Sequence, residues 1–203
     1  MKVGILALQG DVREHIEILR KLNAESVKVK LPEDLEDIDA LIIPGGESTT
    51  IGMLIKKYNL DTKIREKYAK GMPIYGTCAG AILLAKNIKN SRQPKLSLID
   101  IEIERNAYGR QAESFEAELN IKKIGKFKGI FIRAPIVKTV YDGAEILAEH
   151  NNFPVMIKQD NILITTFHPE LANDARVHKL FMEMAKECQN VRVMHEELEE
   201  RNQ

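Results

Sequence analysis

Hydrophobic runs alternate with amphipathic segments along the first ninety residues of the chain. The runs predict buried strands at KVGILAL (2–8), ESVKVK (25–30), DALIIP (39–44) and PIYG (73–76). The segments between and after them predict helices at DVREHIEILRKLN (11–23), near 50–58 and 61–70, and at AGAILLAKN (79–87). Strands that alternate with helices in this way predict a parallel sheet covered by helices on both faces.

The pattern changes between about 97 and 167, where short strand-like segments follow one another with turn signals between them. They are SLIDIEIE (97–104), SFEAELNI (114–121), GIFIRAP (129–135), EILAEH (145–150), FPVMIKQ (153–159) and ILITTFH (162–168). A last helix is predicted over about 174–190, followed by a charged tail. We therefore predict an α/β fold of three layers, flavodoxin-like, in which helices flank a mostly parallel, mixed sheet. Residues 1–190 would form a single domain and 191–203 a tail that frays or meets a partner.

Composition and charge narrow the possible partners. The 203 residues carry 30 Lys plus Arg and 30 Asp plus Glu, so no overall positive field attracts nucleic acid or an anionic membrane. No transmembrane segment is predicted. The two cysteines, Cys78 and Cys188, do not form a cysteine-rich framework, and a reducing cytoplasm is the simpler location.

Cys78 lies in the sequence Gly-Thr-Cys-Ala-Gly, where a strand is predicted to turn into a helix. A nucleophile on such a sharp turn needs small residues two positions before and after it, and Gly76 and Gly80 satisfy that need. A helix N-terminus favours the thiolate and offers N–H groups to an oxyanion. The alternative is a small buried cysteine at an ordinary glycine turn.

His168 is the histidine best placed to act as a base for Cys78. It ends an apolar strand, and ligands gather at the carboxyl ends of strands in parallel sheets. Pro169 favours an extended His168, so Glu170, two residues on, can lie beside the imidazole and orient it. A hydrogen-bonded histidine at a strand end is the alternative. The other histidines have surface-like surroundings in the sequence: His15, His150, His178 and His195.

The segment PGGESTT (44–50) forms a glycine turn after a predicted strand. Without a side chain, Gly46 can bring its N–H close to a substrate and act as one oxyanion donor, with the Ala79 N–H as the other. Ser48 or Thr49 is a candidate N-cap for the following helix. A phosphate-binding loop is disfavoured because no GK[ST] follows.

The elbow, the Pro-Gly-Gly loop and His-Pro-Glu, in this order, resemble the class I glutamine amidotransferases, the triad glutaminases. The resemblance extends from residue 3 to about 185. More narrowly, it is to the glutaminase subunits of pyridoxal 5'-phosphate synthases, in five segments: LALQGDVREH (6–15), PGGESTT (44–50), ERNAYGRQAESFE (104–116), FIRAP (131–135) and FHPEL (167–171).

This resemblance implies a role for each matching residue. Cys78 would be the nucleophile, His168 the general base and acid, and Glu170 its orienting partner. Glutamine would be held by Gly46, Glu47, Ser48, Arg105, Ile132 and Arg133, with Gln9 and Gly10 as a border of the site. Which arginine contacts glutamine stays open, and either could instead pair with Glu113 or Glu116.

The implied reaction releases ammonia from glutamine and needs no cofactor and no metal. Ammonia is protonated in water, so the acceptor site should lie on a partner chain, which the resemblance identifies as a (β/α)₈-barrel synthase subunit in a large assembly. Three alternatives remain: a glutaminase of another pathway, a cysteine hydrolase of similar fold, and a flavodoxin-like binding module without activity. The hydrolase carries histidine directly after its cysteine, where this chain has Ala79.

Overall fold

A computed structural model describes residues 1–106 and 114–201, with side chains described as far as residue 191. Most of the segment ERNAYGRQAESFE, including Glu113, therefore lies outside the described residues. The helices are α1 (Val12–Lys21), α2 (Ser48–Lys57), α3 (Leu60–Ala69), α4 (Ala79–Leu84) and α5 (Arg176–Arg201). The strands of the first half are β1 (Lys2–Leu6), β2 (Glu25–Val29), β3 (Ala40–Ile43), β4 (Ile74–Thr77) and β5 (Ala85–Ile88). Those of the second half are β6 (Ile99–Glu104), β7 (Ser114–Ile121), β8 (Gly125–Ile132), β9 (Ile136–Val140), β10 (Glu145–His150), β11 (Phe153–Gln159) and β12 (Ile162–Thr165).

A seven-stranded sheet forms the centre of the fold, with the strand order β10-β11-β12-β4-β3-β1-β2. The five strands from β12 to β2 are parallel, and β10 and β11 add an antiparallel edge. Alternate residues of the central strands pack into opposite cores: Ile43 and Ile74 lie on the face of α2, α3 and α4, and Ile42 and Tyr75 on the face of α1 and α5. The predicted three-layer, mostly parallel α/β fold is confirmed.

Two smaller β-structures account for the change of pattern in the second half of the chain. β5, β6 and β9 form a three-stranded sheet, and β7 and β8 form an antiparallel hairpin. The hairpin brings Ile132, at the end of β8, to the carboxyl edge of the central sheet, because Ile130 in the same strand accepts a hydrogen bond from the His168 N–H at 2.8 Å.

Some elements differ from the sequence-based expectation. The helix predicted over 79–87 ends at Leu84, because residues 85–88 pair with β6 instead. β9 was not predicted as a strand. α5 continues through residue 190 to Arg201, so the backbone of most of the predicted tail is helical. The division into domain and tail stays a prediction.

Within the part of the chain that the structure describes, none of the helices has the length and apolar character needed to cross a membrane.

Candidate active site

The Cys78 elbow connects β4 directly to α4. Cys78 has φ +47° and ψ −98°, a backbone conformation that non-glycine residues rarely adopt, and its side chain is buried. A Cβ atom at Gly80 would overlap the Ile43 carbonyl oxygen, and one at Gly76 would lie 2.7 Å from the Gly80 carbonyl carbon. The two glycines therefore let strand and helix approach closely enough to form the turn, as the sequence predicted.

His168 and Glu170 lie beside this elbow because β12 is the parallel neighbour of β4. The Cys78 N–H donates to the Thr165 carbonyl at 2.8 Å, which continues the strand pairing past the end of β4. Pro169 begins a short 3-10 turn (Pro169–Leu171), and the His168 Nδ1 lies 2.8 Å from Glu170 Oε1. The structure thus brings the predicted nucleophile, base and orienting carboxylate together in a buried cluster.

A second carboxylate also contacts His168. Asp11 Oδ2 lies 3.2 Å from His168 Nδ1, so two acidic side chains share this nitrogen. Burial opposes a charge on His168, but the contacts with Asp11, Cys78 and Glu170 outweigh it and raise the pKa of His168 to about 12. The cluster therefore favours the imidazolium form of His168, next to the Cys78 side chain.

Asp11 was not among the site residues predicted from the sequence. It occupies the position before α1, yet its side chain makes no capping hydrogen bond and turns toward His168. A Cβ at Gly45 would lie 2.7 Å from Asp11 Oδ2 and overlap the His168 ring, so Gly45 leaves room for this contact. One ligand atom each from Asp11, His168 and Glu170 lie within 4.8 Å of one another, close enough to share a metal ion. His168 Nδ1, however, is already bonded to Glu170, and the expectation of no metal stays a prediction.

The thiol of Cys78 faces the loop that follows β8. Its Sγ donates to the Ile132 carbonyl at 3.8 Å, and His168 Nε2 makes no hydrogen bond of its own within the described ranges. Ile132 is partly exposed, and Arg133 follows it with φ +43°. The predicted segment Ile132-Arg133 therefore borders the nucleophile.

Glu47 organises the loop that carries the predicted glutamine-binding residues. It is the N-cap of α2, and its carboxylate accepts hydrogen bonds from the Thr49 and Thr50 N–H groups at 3.1 and 2.7 Å. The expectation that Ser48 or Thr49 caps this helix is wrong, because Glu47 reaches both N–H groups. Partial burial raises the pKa of Glu47, but these hydrogen bonds outweigh it and lower the pKa to about 2. Glu47 is thus a stable anion.

Arg105 lies against the same loop. Its guanidinium donates to Glu47 at 3.0 Å, to Thr49 Oγ1 at 2.8 Å and to Gln93 Oε1 at 2.6 Å. The alternative partner Glu116 is bonded to Lys128 instead. Ser48 is buried and also donates to Gln93, at 3.3 Å. Gln93, which sequence reasoning missed, therefore bonds to two of the predicted glutamine-binding residues, Ser48 and Arg105.

The border residues and the oxyanion donors lie around this loop. Gln9 Oε1 accepts from the Glu47 N–H at 2.8 Å, and the Asp11 N–H that follows Gly10 donates to the Gly45 carbonyl at 3.1 Å. Ala79 is the first residue of α4, where the N–H has no helical acceptor. Gly46 adjoins Gly45, at which an added Cβ would overlap the His168 ring. Their role as oxyanion donors stays a prediction.

Two histidines judged surface-like are fully buried behind the triad. His15 on α1 and His178 on α5 have no exposed surface, and their Nδ1 and Nε2 atoms lie 2.9 Å apart. Helical periodicity would have indicated this burial, because His15 lies on the same helix face as Leu19, and His178 on the same face as Phe181. His150 is half-buried, and the His195 side chain lies outside the described residues.

Comparison with known proteins agrees with this geometry. Residues 5–187 match the sequence profile described as the SNO glutamine amidotransferase family. A pyridoxal 5'-phosphate synthase subunit PdxT of Thermotoga neapolitana is 54% identical, over 92% of this chain and 100% of that protein. A solved structure described as a glutamine amidotransferase superposes with a TM-score of 0.89 and 47% identity, over 91% of this chain and 98% of that chain.

A more distant structure shares the fold alone. The structure of PurLQS from Thermotoga maritima has a TM-score of 0.67 and 14% identity, over 90% of this chain and 97% of that one. The resemblance drawn from the sequence motifs is confirmed by the closer matches.

Proposed function

The chain belongs to the SNO glutamine amidotransferase family, and on this basis we propose that it is the glutaminase subunit of a pyridoxal 5'-phosphate synthase. It hydrolyses L-glutamine to L-glutamate and ammonia and passes the ammonia to a synthase subunit. The observation that carries the proposal is the buried cluster of Cys78, His168 and Glu170 at the edge of the central sheet. The chain acts in the cytoplasm and needs no cofactor.

The reaction begins at the Cys78 sulfur. The thiolate attacks the side-chain amide carbon of glutamine, and the oxyanion that forms is stabilised by the Gly46 and Ala79 N–H groups. His168 protonates the departing nitrogen, which leaves as ammonia, and a γ-glutamyl thioester remains on Cys78. Glu170 holds the imidazole through Nδ1, which leaves Nε2 as the nitrogen that exchanges protons in the reaction.

The second half of the reaction uses the same groups in reverse order. His168 removes a proton from water, the hydroxide attacks the thioester carbon, and glutamate leaves as Cys78 recovers its thiolate. The covalent intermediate therefore divides one amide hydrolysis into two steps that share one base and one oxyanion site.

Glutamine is selected by charge at the rim of the site. Its α-ammonium matches the ionised Glu47, and its α-carboxylate matches the guanidinium of Arg105 or Arg133 and the N–H groups of the loop. Ser48 and Ile132 complete the binding residues, and Gln9 and Gly10 border them. Arg105 already bonds Glu47, so one ion pair presents both a positive and a negative group to the substrate.

Delivery of ammonia explains the need for a partner. Ammonia that escapes into water is protonated and no longer a nucleophile, so the acceptor site should be reached directly from the glutaminase. The synthase subunit, a (β/α)₈ barrel, would provide that site in a large hetero-oligomer.

The test measures glutamate release from glutamine by the purified chain, with and without the synthase subunit of a pyridoxal 5'-phosphate synthase. We expect turnover that rises with the partner and that Cys78→Ala lowers about a millionfold, since a triad nucleophile is removed. Cys188→Ala is the matched control, because Cys188 lies on α5 outside the cluster, and it should retain full activity.

The possible outcomes separate the alternatives. Turnover that depends on Cys78 but ignores this partner would assign the chain to another pathway. A folded chain without turnover, alone or with the partner, would contradict the glutaminase proposal and favour a flavodoxin-like binding module, for which saturable flavin or nucleotide binding is the readout.

A further inference from the structure

A buried pair of imidazoles lies directly behind the Cys78, His168 and Glu170 cluster. His15 Nδ1 and His178 Nε2 are 2.9 Å apart, and both rings are fully buried. Tyr75 packs against them edge-on, with its ring centroid 6.4 Å from that of His15 and 5.8 Å from that of His178. The pair links α1 to α5 across the end of β4.

The second ring nitrogen of His15 lies near the Glu170 oxygen that is bonded to His168. His15 Nε2 lies 3.7 Å from Glu170 Oε1 and 3.3 Å from Thr77 Oγ1. Glu170 Oε1 is also the atom bonded to His168 Nδ1, whereas Oε2 has no hydrogen-bond partner within the described part of the chain. Oε1 therefore lies between the imidazoles of His168 and His15.

Burial fixes the charge of the pair. It lowers the pKa of His178 to about 3 and, together with the nearby imidazoles of His178 and His168, holds the pKa of His15 well below its ordinary value. Each ring is neutral at physiological pH and carries one N–H, so the pair has two possible arrangements of protons.

Electrostatics selects between the two arrangements. If His15 donated to His178, the lone pair of His15 Nε2 would face the Glu170 carboxylate, and the His178 Nδ1–H would be a buried donor without an acceptor. If His178 donates to His15 Nδ1, the His15 Nε2–H instead faces Glu170 Oε1 and Thr77 Oγ1. The second arrangement places a positive N–H end next to a negative carboxylate and is favoured.

We propose that His15 is a positioning residue, which His178 orients from behind, and that its N–H holds the Glu170 carboxylate ionised and aligned on His168. The proposal rests on the proposed function, since it assigns a further residue to that triad. A neutral imidazole suits the task because it supplies a donor dipole without a charge that would compete with the imidazolium of His168.

Other groups around Glu170 also influence its pKa. Burial is the main cause that raises the pKa of Glu170, the contact with His168 lowers it, and the Asp11 charge raises it. Tyr75 stays neutral, because burial and the Glu170 charge raise its pKa. Cys78 contacts His168 and the Ile132 carbonyl. In this setting a lost donor makes Glu170 easier to protonate.

The test compares His15→Gln with His15→Leu in the full chain with its synthase partner. Glutamine keeps an N–H donor near the position of Nε2, whereas leucine removes it. We expect His15→Leu to lower kcat about tenfold with KM within about twofold, and to move the acid limb of kcat/KM upward by about one pH unit. His15→Gln should recover most of both effects.

Phe181→Leu provides the matched structural control. Phe181 is buried on α5 and contacts Tyr75, so this variant loosens the same packing without removing a hydrogen bond. It should lower the melting temperature and leave the acid limb of kcat/KM at the wild-type pH. The proposal is overturned if His15→Leu leaves the acid limb unmoved, or if His15→Gln is as impaired as His15→Leu.

An assay without turnover separates this proposal from the glutaminase function. In a Cys188→Ser background, the rate at which iodoacetamide alkylates Cys78 reports the thiolate, and its pH profile can be measured without glutamine. His15→Leu should shift that profile to higher pH by about one unit, and an unshifted profile contradicts the proposal. A shift in a chain that never hydrolyses glutamine would uphold the role of His15 and refute the glutaminase function instead.

Discussion

Two glutamates of the site have the same side chain in opposite surroundings. Glu170 is buried at the carboxyl end of β12, where burial raises its pKa, and its contacts are imidazoles. Glu47 is half exposed at the N-terminus of α2, where backbone N–H groups and Arg105 surround it and its pKa is lowered to about 2. The Glu170 carboxylate is thus held by buried imidazoles, and the Glu47 carboxylate by backbone N–H groups and an arginine at the surface.

The difference divides the site into two parts with different expected effects on kinetics. The buried part, the cluster around Glu170, positions the groups that exchange protons, so changes there should lower kcat. The exposed part, the loop around Glu47, presents charges that match free glutamine, so changes there should raise KM.

Exchanging each glutamate for glutamine tests this division most strongly. We expect Glu170→Gln to lower kcat about ten-thousandfold with little change in KM, because the amide no longer stabilises the imidazolium of His168. Glu47→Gln should instead raise KM about tenfold and leave kcat within a few fold. Steady-state kinetics of glutamate release measure both. A KM effect for Glu170→Gln together with a kcat effect for Glu47→Gln would contradict the division.

A substitution at Gly46 tests where the two parts meet. The Gly46 backbone has φ +154°, and an added Cβ would lie 2.5 Å from Gln9 Oε1. Gly46→Ala should therefore displace the loop N–H and lower kcat about a hundredfold, while the strained chain still folds. Gly71→Ala is the control: Gly71 also has positive φ, at +88°, but open space around it, so only backbone strain results and activity should persist. Normal turnover by Gly46→Ala would remove Gly46 from the oxyanion site.

The smallest expected effect concerns stability between pH 6 and pH 5, to which the buried His178 should contribute. Burial lowers the pKa of His178 to about 3, so below about pH 6.5 the unfolded chain binds a proton that the folded chain does not. The free energy of unfolding should thus decrease as the pH is lowered, by up to about 1.4 kcal/mol per pH unit for this residue. His168 adds no slope there, since its pKa is raised and it is protonated in both states.

Urea unfolding between pH 6 and pH 5 measures this slope. His178→Leu should make the slope shallower by one proton, and Phe181→Leu, which removes no ionisable group from the same helix, should keep the wild-type slope. An unchanged slope for His178→Leu would show that His178 is not kept neutral in the fold.

The sequence was most informative where local spacing determines structure. The glycines around Cys78 act within a few residues, and the predicted turn agrees with the structure. Glu170 lies beside His168 as expected, but through a 3-10 turn over Pro169–Leu171 and not through the extended segment that was predicted. The alternation of strands and helices was likewise enough to predict the parallel sheet. Arg105 was singled out, but its partners Gln93 and Glu47 come from distant segments and could not be paired by spacing alone.

The failures arose where tertiary contacts override local preference. AGAILLAKN reads as one helix, yet pairing with β6 draws its last residues into β5. His15 and His178 were expected at the surface because their neighbours in the sequence are charged. Consecutive residues of a helix, however, lie on different faces, so a charged neighbour does not exclude burial. Asp11 has the residue type of an N-cap, but the stronger attraction of the His168 imidazolium takes its carboxylate away from the helix.

The pairing of β4 with β12 has a consequence for how such a protein can diversify. Cys78 and His168 are 90 positions apart in the chain, but strand hydrogen bonds fix one relative to the other. Loops in the region between them, from β5 to β11, can change in length while the pairing of β4 with β12 keeps the spacing of Cys78 and His168. That inserted region supplies Gln93, Arg105 and Ile132 at the rim of the site. The sheet can thus preserve the catalytic geometry in related proteins, while changes between β5 and β11 alter the residues that contact substrates and partners.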